Sequence, residues 1–251
     1  MAENFFTDYP ERKDQLFKYS RLESLIQPLE EAFGEKDAFK DTKEAFEMYS
    51  GVLEEIGKLC ALEIKPSAAK IDLEGTHLVD GEVQMSPTLQ SQIRKCAELG
   101  VFSGQGSRQV GGFNLPSVVQ VAALEMFAQA CPNTGLTVAA YSMISFVEKW
   151  GTEEQKSRLL PKLLNAEYAT AMALTESNAG SDLGNLRTSA KKDGDKYLVN
   201  GTKQFISYGH GEVVMTLVRT DPNSKGLEGL SVLWIPKTEN GKKNISVSKI
   251  E

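Results

Sequence analysis

Residues 171–182 read Ala171-Met172-Ala173-Leu174-Thr175-Glu176-Ser177-Asn178-Ala179-Gly180-Ser181-Asp182, an apolar strand-like run that breaks into a loop dense in hydroxyls and small residues. Few bulky side chains stand in the way there, so backbone N–H groups can approach a phosphate or a ring carbonyl. A polar strand-to-strand connection explains the same residues. The dinucleotide fingerprint G-x-G-x-x-G is absent, and no βαβ unit surrounds the stretch. Gly104-Gln105-Gly106 is only a G-x-G and reads as a turn.

The stretch begins just past residue 166, where the hydrophobic period changes. Upstream, Ala45, Phe46, Tyr49, Val52, Leu53, Ile56, Leu59 and Cys60 recur every three or four positions and predict one face of a long helix. Asp41 or Thr42 caps its start, and Pro66 is expected to end it near Lys65. Further helices are expected over 88–99, 117–130, 136–149 and 153–164, punctuated by Gly100, Gly111-Gly112, Pro116, Pro132-Asn133 and Gly151-Thr152. Asp72–Pro87 has no helical period and reads as a loop, with a short hairpin at Val79-Asp80-Gly81-Glu82-Val83.

Downstream the period shifts toward two. Lys196–Val199 and Lys203–Ser207 flank Asn200-Gly201, a strong hairpin signal, and Asp193-Gly194 marks another tight turn. Val213–Arg219, Leu230–Ile235 and Ile245–Lys249 read as strands. Helices followed by antiparallel strands predict an α+β chain in two regions, a helical one and then a β one. The last residues, Ser248-Lys249-Ile250-Glu251, stop in a strand-like stretch, which suggests a chain shorter than its fold.

Composition excludes several classes. The chain has 251 residues, 28 basic against 34 acidic, for a formal net charge of −6. That balance argues against nucleic-acid binding, which needs clustered Lys and Arg. No segment approaches the roughly 18 apolar residues of a membrane span, and the acidic N-terminus lacks a secretory profile. Cys60, Cys96 and Cys131 form no C-x-x-C pair, so a reduced, cytoplasmic protein with three buried small hydrophobes is expected. His77 and His210 have no partner at ligand spacing, so no metal site is expected. His210 reads as a solvent-exposed turn residue, with a cofactor-facing role as the alternative.

Four segments in order carry a resemblance. Leu174–Asp182 looks like the T-E-x-x-x-G-S-D signature of the acyl-CoA dehydrogenase family. Val199-Asn200-Gly201-Thr202-Lys203-Gln204-Phe205-Ile206-Ser207 resembles its N-G-x-K-x-W-I-T/S segment. Val110-Gly111-Gly112-Phe113-Asn114-Leu115-Pro116 resembles its Y-G-G-x-G-L-P turn, and Gly151-Thr152-Glu153-Glu154-Gln155-Lys156 its G-T-x-E-Q-K helix start. The 72–87 loop looks closest to the larger branch of the family. Residues 1–40 would then be an N-terminal extension, 41–165 the helical domain, and 166–251 an incomplete β-barrel-like middle domain, cut before a C-terminal helical bundle.

The resemblance implies an FAD enzyme that oxidises acyl-CoA to trans-2-enoyl-CoA, with hydride transfer to flavin N5. Electron-transfer flavoprotein is the implied acceptor, and a homo-oligomer the implied full-length state. By the same resemblance Met172, Leu174 and Thr175 meet the pyrimidine edge of the flavin. Gly180 and Ser181 approach the pyrophosphate, Ser181 also near the substrate entrance. Phe205 replaces the usual tryptophan beside the ring, and Ser207 lies near N5. An apolar ring beside the flavin limits water, and a hydroxyl aimed at N5 or N1–C2=O stabilises arriving electron density. Phe205 and Ile206 fit a β-core stripe equally well. Val110 and Asn114 depart from the family turn and are expected to loosen it. No glutamate here is assigned as the catalytic base; Glu176 is read as structural. Tyr141, Met143 and Phe146 match a helix that lines the family's acyl tunnel, or pack as ordinary core. The competing readings are a non-catalytic module that binds acyl-CoA or a partner subunit, and a remnant without ligand.

Overall fold

The computed structural model describes residues 3–32, 38–141, 143–247 and 249–250, which divide into a helical unit (1–77 with 84–167) and a sheet unit (78–83 with 168–251). The chain begins with α1 (Pro10–Asp14), a π-helical turn at Gln15–Tyr19 and α2 (Glu23–Ala32). It continues with α3 (Thr42–Leu59), a second π turn at Cys60–Ile64 and α4 (Lys65–Glu74). The hairpin β1 (His77–Val79) and β2 (Glu82–Gln84) precedes α5 (Pro87–Glu98), α6 (Ser117–Ala130), α7 (Pro132–Ala140), α8 (Ile144–Trp150) and α9 (Glu153–Leu164).

Asp41 caps α3 as expected, its carboxylate accepting the Glu44 N–H at 2.8 Å. Pro66 does not end the helix. The π turn before it adds one residue to the ladder, Lys65 N–H bonding the Cys60 carbonyl, and Pro66 opens α4, where its missing donor costs nothing. Helical structure therefore runs to Glu74, into the stretch read as loop, while the hairpin beyond it forms where the sequence placed it. The expected 136–149 helix is two helices. Val138, Tyr141, Ile144 and Val147 are all buried at a spacing of three, which mimics a single helical face across the break. At α9, Thr152 and Gln155 form a capping box, Oγ1 accepting at 3.2 Å and Oε1 at 2.9 Å.

The first residues pack into the helical unit. Phe5 and Phe6 are buried, and the Phe5 N–H donates to the Gly57 carbonyl at 3.0 Å. A Cβ at Gly57 would stand 2.7 Å from the Phe6 nitrogen, so this helix position needs glycine for the segment to cross it. In the 110–116 turn, Asn114 is buried at φ +52 and donates its N–H to the Gly106 carbonyl at 2.8 Å. Asparagine tolerates that backbone, so the turn is tight where the departure from the family pattern had suggested a looser one.

The sheet unit holds β3 (Thr170–Ala173), β4 (Ser189–Asp193), β5 (Lys196–Asn200), β6 (Val213–Arg219) and β7 (Leu230–Pro236), then β8 (Thr238–Glu239) and β9 (Lys242–Lys243). The five-stranded sheet runs β3-β6-β4-β5 with β7 also on β6. It is mixed: β6 is antiparallel to β7 but parallel to β3, in register Ala171↔Val214. The long connection through β4 and β5 lets the chain return in the same direction. Strand β6 reads Val-Val-Met-Thr-Leu-Val-Arg and is buried along most of its length, as a central strand should be.

Two expected strands are absent. The hairpin closes at Asp193-Gly194, pairing β4 with β5, and not at Asn200-Gly201. Residues 203–207 leave the sheet, held by bonds from Lys203 and Gln204 to the 174–176 segment, and Gly201 lies against Thr188, whose Cα would stand 2.7 Å from a Cβ there. Of Ile245–Lys249, the described residues carry no strand, and Ser248 lies outside them. Ile245 packs instead on the Ala171, Ala173 and Val214 cluster.

Candidate functional site

The site is built on the end of β3. Ala171 and Ala173 are buried in that cluster, while Met172 between them is 50% exposed. The inward alanines anchor the strand, and the alternation presents Met172 outward. Beyond the strand, Leu174 and Thr175 are half-buried, and Glu176 turns back into the unit.

Glu176 is the keystone of the loop. One carboxylate oxygen accepts the Arg187 N–H at 2.7 Å. The other accepts the Thr188 N–H and the Lys203 ammonium, each at 2.9 Å. Burial pushes its pKa up, but hydrogen bonds from Thr188, Arg187 and Lys203 outweigh that and hold it at about 2. Lys203 also donates to the Leu174 carbonyl at 2.9 Å, and Gln204 N–H to the Thr175 carbonyl at 3.0 Å. These bonds lay segment 203–207 alongside 174–176. A charged, paired carboxylate of this kind is structural, as expected from sequence.

The expected residues fall on two adjoining segments. Leu174 and Thr175 are bonded to Lys203 and Gln204 of the segment that carries Phe205 and Ser207, Met172 precedes them on β3, and Gly180 and Ser181 follow the tight Glu176–Ala179 turn on the exposed loop. Phe205 is not part of a β-core stripe: it sits at φ +59 and is 73% exposed, while Ile206 turns in against the alanine cluster. The positive φ rotates the ring out of the core, a strained backbone for a bulky residue. Among the described residues no protein group is hydrogen-bonded to the hydroxyls of Thr175, Ser181 or Ser207, and nothing lies within 4 Å of where a Gly180 Cβ would be. An exposed ring, unspent hydroxyls and an open small-residue loop fit a flat heteroaromatic group with a charged tail.

His210 departs from expectation. It is half-buried and stacks on Tyr208 with ring centroids 5.1 Å apart. Burial lowers its pKa, Glu212 opposing and Lys237 assisting. Tyr141 packs as core against Phe102 at 4.9 Å. All three cysteines are free and buried. Sequence reasoning gave no role to Lys203 or to Glu212, whose carboxylate accepts the Ala169 N–H at 2.7 Å ahead of β3. The signal for Lys203 was present, since a glutamate in a loop of small residues needs a buried cation.

Residues 48–167 match the family model for the acyl-CoA dehydrogenase N-terminal domain, and residues 171–251 match that for the middle domain. The chain belongs to the acyl-CoA dehydrogenase family. It is 32% identical over 191 residues to the short-chain specific acyl-CoA dehydrogenase of Clostridium acetobutylicum, covering 75% of this chain and 47% of the relative. The acyl-CoA dehydrogenase structure from Geobacillus kaustophilus superposes with a TM-score of 0.63 at 27% identity, over 80% of this chain and 50% of that one. PigA, solved with FAD and proline, shares the fold at a TM-score of 0.65 and 23% identity, over 77% of this chain and 49% of its own. The chain thus spans about half the length of the relatives it matches. No helix among the described residues is long and apolar enough to cross a membrane.

Proposed function

We propose that this chain forms the FAD-facing N-terminal part of an acyl-CoA dehydrogenase that oxidises acyl-CoA to trans-2-enoyl-CoA. The observation that carries the reading is the exposed Phe205 ring beside unspent hydroxyls, held by the buried Glu176–Lys203 pair. FAD, when bound, supplies the two-electron acceptor for the hydride that leaves the acyl β-carbon. Phe205 would pack beside the ring and exclude water from that face. Thr175 and Ser207 offer hydroxyls to the ring's polar edges, with backbone groups of Met172 and Leu174 at the same edge. Gly180 and Ser181 leave room for a pyrophosphate, Ser181 also facing the CoA substrate. Glu176, bound to Lys203 and to the Arg187 and Thr188 amides, holds the loop and is not assigned as the α-proton base. Electron-transfer flavoprotein as acceptor, a homo-oligomeric full-length enzyme and a cytoplasmic setting belong to the same proposal.

The test is flavin fluorescence during titration of FAD into the chain. The reading expects quenching that saturates, weakened about tenfold by Thr175→Val, the loss of roughly one hydrogen bond to a polar group. Phe205→Ala should weaken it further. Unchanged binding in both variants, or no binding by the parent chain, overturns it.

A further inference from the structure

Arg219 ends β6, and its guanidinium lies between two loops of the sheet unit. Nη2 donates to the Gly184 carbonyl at 2.8 Å and to the Gly226 carbonyl at 3.1 Å. Nη1 donates to the carbonyl and hydroxyl oxygens of Ser224, both at 3.3 Å. Gly184 belongs to the loop that carries Gly180 and Ser181; Ser224 and Gly226 belong to Asp221–Gly229. The loops also touch directly, since a Cβ at Gly184 would lie 3.2 Å from the Gly226 Cα. Among the described residues Arg219 has no carboxylate partner, so four neutral oxygens hold its charge. A cation satisfied only by loop acceptors is a cross-link with a positive charge left over.

We infer that Arg219 is a positioning residue that fixes the 177–186 and 221–229 loops as one body and sets them for a diphosphate-bearing nucleotide. The inference rests on the reading of Gly180 and Ser181 as pyrophosphate-facing. The fork geometry is the reason for arginine: a lysine ammonium is a point donor and cannot span Gly184 and Ser224 together. FAD and CoA both carry a diphosphate, so each is a separate arm of the test.

Amide hydrogen exchange is measured on the full chain and on Arg219→Lys and Arg219→Met, alongside separate titrations with FAD and with CoA. Exchange should rise about tenfold in 183–186 and 222–228 together in both variants, the loss of one charge-assisted bond or more, with the β6–β7 ladder unchanged. Affinity for one of the two nucleotides should fall by about tenfold in both variants, and which one falls identifies the source of the diphosphate. An unchanged 183–186 segment, or affinities equal to those of the parent despite faster exchange, overturns the inference. Absence of any nucleotide binding by the parent chain defeats the diphosphate reading on its own, while the exchange data still decide whether the two loops are tethered.

Discussion

Glu176 and Lys203 show what single residues do in this chain. Both side chains are buried, and removing either charge leaves the other without its oppositely charged partner. Glu176→Gln is expected to destabilise the sheet unit by about 3–5 kcal/mol, the usual cost of orphaning a buried charge, read as a lowered urea midpoint. The pH dependence has a definite sign. Glu176 is held at about 2 against an ordinary 4.5, so its stabilisation is full above pH 4.5 and is lost as pH falls toward 2. Glu176→Gln should flatten the stability profile across that window. His210 acts higher: burial lowers its pKa from 6.5, so its contribution is full above that value and is lost as pH falls below it. His210→Asn should remove the loss of stability that sets in below pH 6.5, measured by the same denaturant midpoints.

Elements show which signals were legible in the sequence. Where a local cap or turn decides the outcome, the residues announce it. Asp41, the Gly151-Thr152 cap signal and the Asp193-Gly194 turn all act where they were read. Thr152→Ala should lower stability by about 0.5–2 kcal/mol through loss of the cap, checked by thermal melting. The misreadings arose where neighbouring structure overrode a local signal. A π turn absorbed Pro66, a spacing of three hid the break between α7 and α8, and bonds from Lys203 and Gln204 to the 174–176 segment took 203–207 out of a hairpin. Gly57 is the same lesson from the other side. Nothing in α3 itself asks for glycine there, but the crossing of Phe6 does, so Gly57→Ala should cost about 1–3 kcal/mol by overpacking, against the small gain expected in an isolated helix. The candidate residues stand out in the sequence as two motifs, 171–182 and 199–207, because each motif is contiguous. The outward rotation of Phe205 was not, since a positive φ on an aromatic residue leaves no mark in the sequence pattern.

At the scale of the molecule the chain is a helical unit and a sheet unit whose boundary the hairpin crosses, residues 78–83 belonging with the sheet. Glu82 accepts from Lys237 at 2.7 Å and from Lys243 at 2.5 Å. These bonds hold its carboxyl at about 2. Glu82→Gln should therefore speed proteolytic cleavage within 78–83, and an unchanged cleavage rate would count against the clasp. Under the proposed function the sheet unit provides a face for a flat ring and a loop for its charged tail. The central claim is that this face receives the flavin. The most direct measurement is amide chemical-shift mapping of the labelled chain during FAD titration. The account predicts saturable shifts concentrated in 172–181 and 203–207. Shifts centred elsewhere, or none at saturating FAD, would contradict it.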